Sequence, residues 1–222
     1  MHAPFFHKQG EIEAEVALNN GLGIEYGAGY ALTSHVAVIA NGNLKLIKTQ
    51  DSNYSRNRFI ESGIGYFDKI GKNGVFEIYA GAGWGKSDAL AIDDYNGHYG
   101  ESDQHLTETS GNYFRIFMQL ELGLSFGGKS ELKDNSFEIG IIYRPVYVSM
   151  LKYRKDDITI TSGTDIITDG TPHAFLNEFG GFYRLMFKNL GLELQSGFSF
   201  PPGNIGFESG FFIASIGIIY RN

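Results

Sequence analysis

Between Tyr113 and Ser125 every second residue is large and apolar. Phe114, Ile116, Met118, Leu120, Leu122 and Leu124 alternate with Arg115, Phe117, Gln119, Glu121 and Gly123. Successive side chains of a strand point to opposite faces, so a strand here has one oily face and one polar, cramped face. A water-soluble barrel is oily inside, whereas a membrane barrel is oily outside and polar within. The glycines favour the second arrangement, because a solvated outer face has no need to be so bare of side chains. The expected fold is therefore all-β: an antiparallel up-and-down transmembrane β-barrel of about 10 strands, with 8 or 12 as the alternatives.

Ten segments carry the pattern: residues 11–18, 23–32, 36–48, 59–67, 75–85, 113–125, 137–150, 175–187, 190–200 and 210–221. Asn20-Gly21 is a strong hairpin signal, and Lys72-Asn73-Gly74 and Lys188-Asn189 are short turns. The second, fourth, sixth and eighth connections are fairly short, and the third, fifth and seventh are long or polar. Outer-membrane barrels keep short turns in the periplasm and long loops outside. An even strand count then places both termini in the periplasm. Pro145 falls inside the seventh segment and predicts a bulge there or the point where the strand leaves the membrane.

Composition agrees with one domain over residues 1–222, residues 1–10 forming a periplasmic segment. Thirty glycines are about twice the average usage. With 13 tyrosines and 18 phenylalanines, the chain has the aromatics that strands and interfacial girdles use. No stretch approaches the ~20 consecutive apolar residues of a membrane helix. The absence of cysteine excludes disulfides and thiolate metal sites, and a formal charge of −7 argues against nucleic acid as a partner. Residues 1–6 do not have the build of a signal peptide, so export predicts a leader removed upstream.

If the oily face meets lipid, the lumen collects Glu25, Glu61, Glu77, Glu121, Glu138, Glu178 and Glu193, with Glu11, Glu13 and Glu15 near the entrance. Lys45, Arg115, Arg144 and Arg184 oppose them. Crowded carboxylates repel one another unless cations and water intervene. Two readings follow: a cation-selective or proton-handling path, or a charge network that fills and rigidifies the barrel. About ten strands enclose far less space than the 16 to 18 of an open porin, which favours the filled lumen.

The predicted loop over residues 86–111 carries Asp88, Asp93, Asp94, Glu101, Asp103 and Glu108 with His98 and His105. Nothing in it has the ordered spacing of a calcium loop. Asp93-Asp94 with those histidines is similar to the acidic and Asp/His pairs of ten-stranded outer-membrane proteases, but the later loops lack an Asp-X-His couple. His173 follows Thr171-Pro172, and His35 falls on a short turn. In residues 151–173, Ile158, Ile160, Ile166 and Ile167 flank Ser162-Gly163, which predicts a protruding hairpin able to pair with a partner at its edges. Tyr66, Trp84, Tyr143, Tyr147, Tyr183, Phe200 and Tyr220 suit the two aromatic belts.

Several runs resemble the small, mostly uncharacterised outer-membrane β-barrel proteins, often lipoproteins, of Bacteroidetes-type bacteria. They are Ala3-Pro4-Phe5-Phe6 before Gly10-Glu11, Gly29 to His35, Ala40-Asn41-Gly42, Gly63 to Phe67, and the strand around Phe76-Glu77. The resemblance covers most strands but not the loops, and it implies an exported precursor and brings no catalytic residues. The expected role is a non-catalytic barrel of the outer membrane, a structural or accessory subunit of a larger envelope complex for secretion, uptake or barrel assembly. Its partners would be outer-membrane lipid, lipopolysaccharide and other envelope proteins, with no metal or cofactor. The alternatives are a rim enzyme, protease or lipid hydrolase, drawing on Asp93, Asp94, His98, His105 and His173, and a soluble lipocalin-like carrier of an apolar ligand.

Overall fold

The structure is a computed structural model that describes residues 4–20, 22–48, 54–96, 102–127, 135–159, 164–170, 173–200 and 211–222. Its strands are β1 (Ile12–Asn19), β2 (Gly23–Ala31), β3 (Val36–Lys48), β4 (Tyr54–Ile70), β5 (Gly74–Asn96) and β6 (Ser102–Gly127). There follow β7 (Asn135–Thr159), β8 (Thr164–Gly170), β9 (His173–Phe187), β10 (Leu190–Phe200) and β11 (Phe211–Arg221). Every neighbouring pair is antiparallel. The ring runs from β1 through β7, on to β9, β10 and β11, and closes where β11 pairs with β1 from Glu13↔Arg221 to Asn19↔Ser215. Ten strands make the closed wall, and β8 continues the line of β9 along the far part of β7.

The expected alternation of faces is present along the membrane-crossing parts of the strands. Leu190, Leu192 and Leu194 on β10 and Ile216 and Ile218 on β11 are 51–61% exposed, while Phe182 and Ile219 between such positions are fully enclosed. An apolar outer surface continuous around a closed barrel cannot face water, and its natural solvent is the bilayer. The lipocalin-like alternative needs a water-compatible outer face, and this wall overturns it. The chain is a transmembrane β-barrel.

The wall is uneven in height. β1 and β2 have 8 and 9 residues, close to one bilayer crossing, but β5, β6 and β7 have 23, 26 and 25. The predicted loop at 86–111 is thus mostly strand, paired from Lys86↔Asn112 up to Asn96↔Ser102. The predicted hairpin after residue 151 forms with β7 and β8 in register from Tyr153↔Gly170 to Thr159↔Thr164, while Ile160, Ser162 and Gly163 lie outside the described residues. Above the membrane neither face has to meet lipid, so the alternation that marks a strand from sequence fades. Pro145 lies inside β7, where it interrupts the ladder to β6 without changing its register: Phe117↔Val146 and Leu120↔Tyr143 frame it. The bulge comes further on, between Asn112 and Tyr113 of β6, opposite Leu151.

The inward glycines are sockets for aromatic rings. A Cβ on Gly81 would stand 2.6 Å from the tip of the Phe117 ring and against the Ser62 carbonyl, and one on Gly29 would stand 2.6 Å from Phe6. Gly123 likewise receives Phe5, and Gly140 receives Phe182. One cluster inside the barrel joins Phe6, Ile39, Phe67, Tyr79, Phe117 and Val146, and a second joins Phe5, Val75, Ile142 and Phe182. We expect Gly81→Ala to destabilise the barrel by about 1–3 kcal/mol, because backbone as well as ring must yield. Ala82→Val on the lipid face should stay within about 0.5 kcal/mol, as exposed positions away from special features do. Urea unfolding in detergent, followed by tryptophan fluorescence, checks both.

Candidate functional site: the charged lumen

Strand parity aims Glu61, Glu77, Glu121, Glu138, Glu193, Arg115, Arg144 and Arg184 into the interior, and all are buried there. Glu178 is also luminal but less enclosed. Two clusters form. Towards the β1 start, Arg184 lies between its register partners Glu138 on β7 and Glu193 on β10. It pairs closely with Glu193, reaches Glu13 at 3.2 Å and Glu138 at 3.9 Å, and rests on the Phe182 ring at 4.5 Å. Arg221 donates to both oxygens of Glu138 at 2.7 and 2.9 Å and to Glu13 at 2.8 Å. This cluster ties β1, β7, β9, β10 and β11 across the seam where the barrel closes.

The second cluster lies nearer the tall rim. Glu61 on β4 takes Arg144 from across the lumen and Arg115 at 3.9 Å, while Glu178 takes Arg115 at 3.2 Å and Arg144 at 3.8 Å. Asn41 donates to Glu61 at 3.3 Å. The guanidinium of Arg144 sits 4.1 Å over Phe117, and that of Arg115 sits 4.7 Å over Phe59. Between the clusters, Glu77 and Glu121 are register partners on β5 and β6. Neutral donors meet them: the Phe6 N–H and the Tyr79 hydroxyl donate to Glu77 at 2.7 and 2.8 Å, and Gln119 donates to Glu121.

Residues 4–6 are part of the interior, His7 is half-buried, and Lys8 to Gly10 are exposed. Phe5 and Phe6 are 1% and 0% exposed, and the Phe5 N–H donates to Glu13 at 3.3 Å. His7 and Lys8 donate their N–H groups to Glu11, and Gly10, at φ +80°, turns the chain so that its N–H meets the Ala31 carbonyl at 2.8 Å. Burial, then the positive charge of Arg221, lowers the His7 pKa from 6.5 to about 4. Burial raises that of Glu11, which precedes β1.

Glu25 and Lys45 stand apart from both clusters. Asn19 donates to Glu25 at 3.0 Å, and Lys45, half-buried opposite Gly23, makes no ion pair among the described residues. Sequence parity had placed Lys45 against the carboxylates, but height along the strand separates them. Conversely, Arg221 keeps the inward parity of Ser215, Gly217 and Ile219, a signal that its place at the end of a strand had hidden. Among the described residues, a recess of about 20 Å³ lined by Ile142, Glu178, Gln195, Ser199 and Ile213 has room for one water.

The described rim candidates stand on β5, β6 and β9. Asp93 and Asp94 on β5 are register partners of His105 and Gln104 on β6, His98 lies outside the described residues, and His173 opens β9 opposite Ser149. His35 stacks on Tyr66, with ring centroids 5.5 Å apart, at a short turn on the opposite end from these residues. Among the described residues no group of three or more His, Asp or Glu could hold a metal ion.

No family model and no curated protein matches the chain. Among solved structures, it is similar to the N-terminal β-barrel domain of Pseudomonas aeruginosa OprF, with 11% identity over 97% of this chain and 99% of that one and a TM-score of 0.37. It is similar also to the translocator domain of the autotransporter NalP from Neisseria meningitidis, with 9% identity, coverage of 95% and 87%, and a TM-score of 0.48. LpxR from Salmonella typhimurium gives 9% identity, coverage of 95% and 99%, and a TM-score of 0.38. Likeness at this level carries no activity from those proteins to this one.

Arg184→Met should cost about 3–5 kcal/mol in urea unfolding, because Glu13 and Glu193 then lose a buried cation. The double change Arg184→Met with Glu193→Gln should recover part of that loss. The docking of residues 4–10 should weaken in acid. A neutral buried His7 contributes fully above its unfolded pKa of 6.5 and progressively less as pH falls towards about 4. Protection of the Phe5 and Phe6 amides against hydrogen exchange, relative to the intrinsic rate at each pH, should fall through that window more steeply in the wild type than in His7→Gln; equal profiles would contradict this assignment.

Proposed function

We propose that this protein is a non-conducting barrel of the outer membrane that acts as a structural or accessory subunit of a larger envelope complex. The filled lumen carries this reading. Phe5, Phe6 and the two arginine clusters occupy the interior, which leaves the outer wall and the tall rim as the working surfaces. In this reading the short turns and both termini face the periplasm, and β5 to β8 project from the cell. Among the described residues β8 pairs with β7 alone, so the projecting wall offers a strand edge of the kind that accepts a partner strand. The likeness of Ala3 to Phe6 and of the glycine-rich strands to small Bacteroidetes-type barrels fits the same assignment.

A second reading, a rim enzyme, draws on one observation: Asp93 and His105 are register partners on the projecting hairpin. An acid and an imidazole on paired strand positions are the residue types of a general-base pair, and a nucleophile or bound water would have to complete it.

The deciding experiment is recovery of the tagged protein from native membranes in mild detergent, with planar-bilayer recording of the purified barrel. We expect stoichiometric co-purification with a larger envelope assembly and no discrete conductance steps. Recovery as a lone species would overturn the accessory role, and regular conductance steps would overturn the filled lumen. Loss of a peptidase or lipid-hydrolase activity in Asp93→Asn would move the assignment to the second reading.

A further inference from the structure

Where the wall leaves its apolar belt on the tall side, the outward residues of β4 and β5 change from oily to basic, and β7 adds further cations beside them. Ile60, Trp84 and Phe114 form one outward row of register partners on β4, β5 and β6. The next row in the same direction is Leu44, Arg58, Lys86, Asn112 and Lys152, and the row beyond it is Leu46, Arg56, Asp88, Ser110 and Arg154. The bulge opposite Leu151 keeps Lys152 and Arg154 on this outward face, since Tyr113 pairs with Met150 but Asn112 pairs with Lys152.

Five cations from three strands thus share one patch. Adjacent strands are about 4.8 Å apart and successive outward residues about 7 Å, so the patch measures about 15 by 7 Å. Two carboxylates answer part of the charge: Asp88 pairs with Lys86 at 3.1 Å, and Asp156 holds Arg154 at 2.8 Å. Glu108 is outward one row higher. Arg56, Arg58 and Lys152 are exposed and make no ion pair among the described residues; Arg56 lies 5.0 Å over the Tyr54 ring. On the far side of the barrel the outward residues near this level are aromatic instead, with Phe175, Phe198, Phe200 and Phe212 about half exposed. A general snorkelling girdle would surround the wall, whereas among the described side chains these cations lie on β4, β5 and β7.

We propose that this face is a binding site for phosphate-bearing lipid headgroups, with Arg58 and Lys152 flanking the phosphate, Arg56 above, and the acyl chains lying on Ile60, Trp84 and Phe114. Guanidinium groups bind phosphate in a forked geometry, and the position directly over the apolar belt is where a bilayer presents its phosphates. A lipid is favoured over a soluble anion because the oily row below supplies contacts that only an acyl chain can use. The proposal rests on the membrane reading of the barrel and adds a ligand to its outer wall.

Trp84, the single tryptophan of the chain, lies within the oily row and reports on the site. The barrel is reconstituted into vesicles of phosphatidylcholine and phosphatidylglycerol with bromine on the acyl chains of one lipid at a time. Brominated phosphatidylglycerol should quench Trp84 about two- to fivefold more strongly than its bulk fraction predicts, an excess that falls with salt as screening requires. The combined Arg56→Gln, Arg58→Gln and Lys152→Gln variant should quench equally with either lipid, whereas Lys69→Gln with Lys188→Gln, on the other rim, should keep the preference. Far-UV circular dichroism and the electrophoretic shift on heating confirm that each variant is folded. Equal quenching of the wild type by both lipids, or a preference that survives the triple change, overturns the proposal alone. Absence of quenching by either lipid overturns the membrane reading and the proposal with it.

Discussion

Glu13 holds the barrel together at the place where a sheet has most difficulty closing. One carboxylate on the first strand meets Arg184 from β9, Arg221 from β11 and the backbone N–H of Phe5. Arg184 and Arg221 then reach Glu138 on β7, and Arg184 reaches Glu193 on β10. A buried guanidinium without partners is prohibitively costly, so these side chains are satisfied together only when the first and last strands lie side by side. Backbone pairing between β11 and β1 closes the ring, and the charges select the register in which it closes.

The same economy explains the glycines. A ten-stranded wall leaves little room inside, and inward positions cannot all be large. Glycine on one strand gives space to a ring from another strand or from residues 4–10: Gly81 to Phe117, Gly123 to Phe5, Gly140 to Phe182. Those rings in turn lie under guanidinium groups, Phe117 beneath Arg144 and Phe182 beneath Arg184, so aromatic packing and charge pairing form one interior. The interior is accordingly less polar than strand alternation alone implies. The filled interior leaves the outer wall, with its sharp change from Trp84 to Lys86, as the surface that meets lipid.

Much of the wall was legible because the bilayer imposes a strict rule on it. Every residue facing lipid must be apolar, so a strand such as β10 announces itself as Leu190, Leu192, Leu194 between glycine, glutamate and glutamine. The rule lapses above the membrane, and there β5, β6 and β7 ran on through segments that read as loops. Luminal carboxylates were visible by parity, and Arg115, Arg144 and Arg184 with them. Parity gives the face and not the height, which is why Lys45 was grouped with groups it does not meet. Residues 4–6 carry no alternation at all, and nothing local indicates that Phe5 and Phe6 turn back into the lumen.

The sequence by itself determined the membrane-crossing part of each strand, the membrane as solvent and the side of the wall on which each of those charges lies, since these follow from period-two patterning against a single apolar medium. Only the tertiary structure decided which charges pair, that Phe5 and Phe6 enter the interior, and that Arg58, Lys86 and Lys152 share one row. Those relations join residues as much as 208 positions apart, as Glu13 and Arg221 are. They are fixed by the stagger of neighbouring strands around a closed ring, a property of the assembled sheet that no single strand carries.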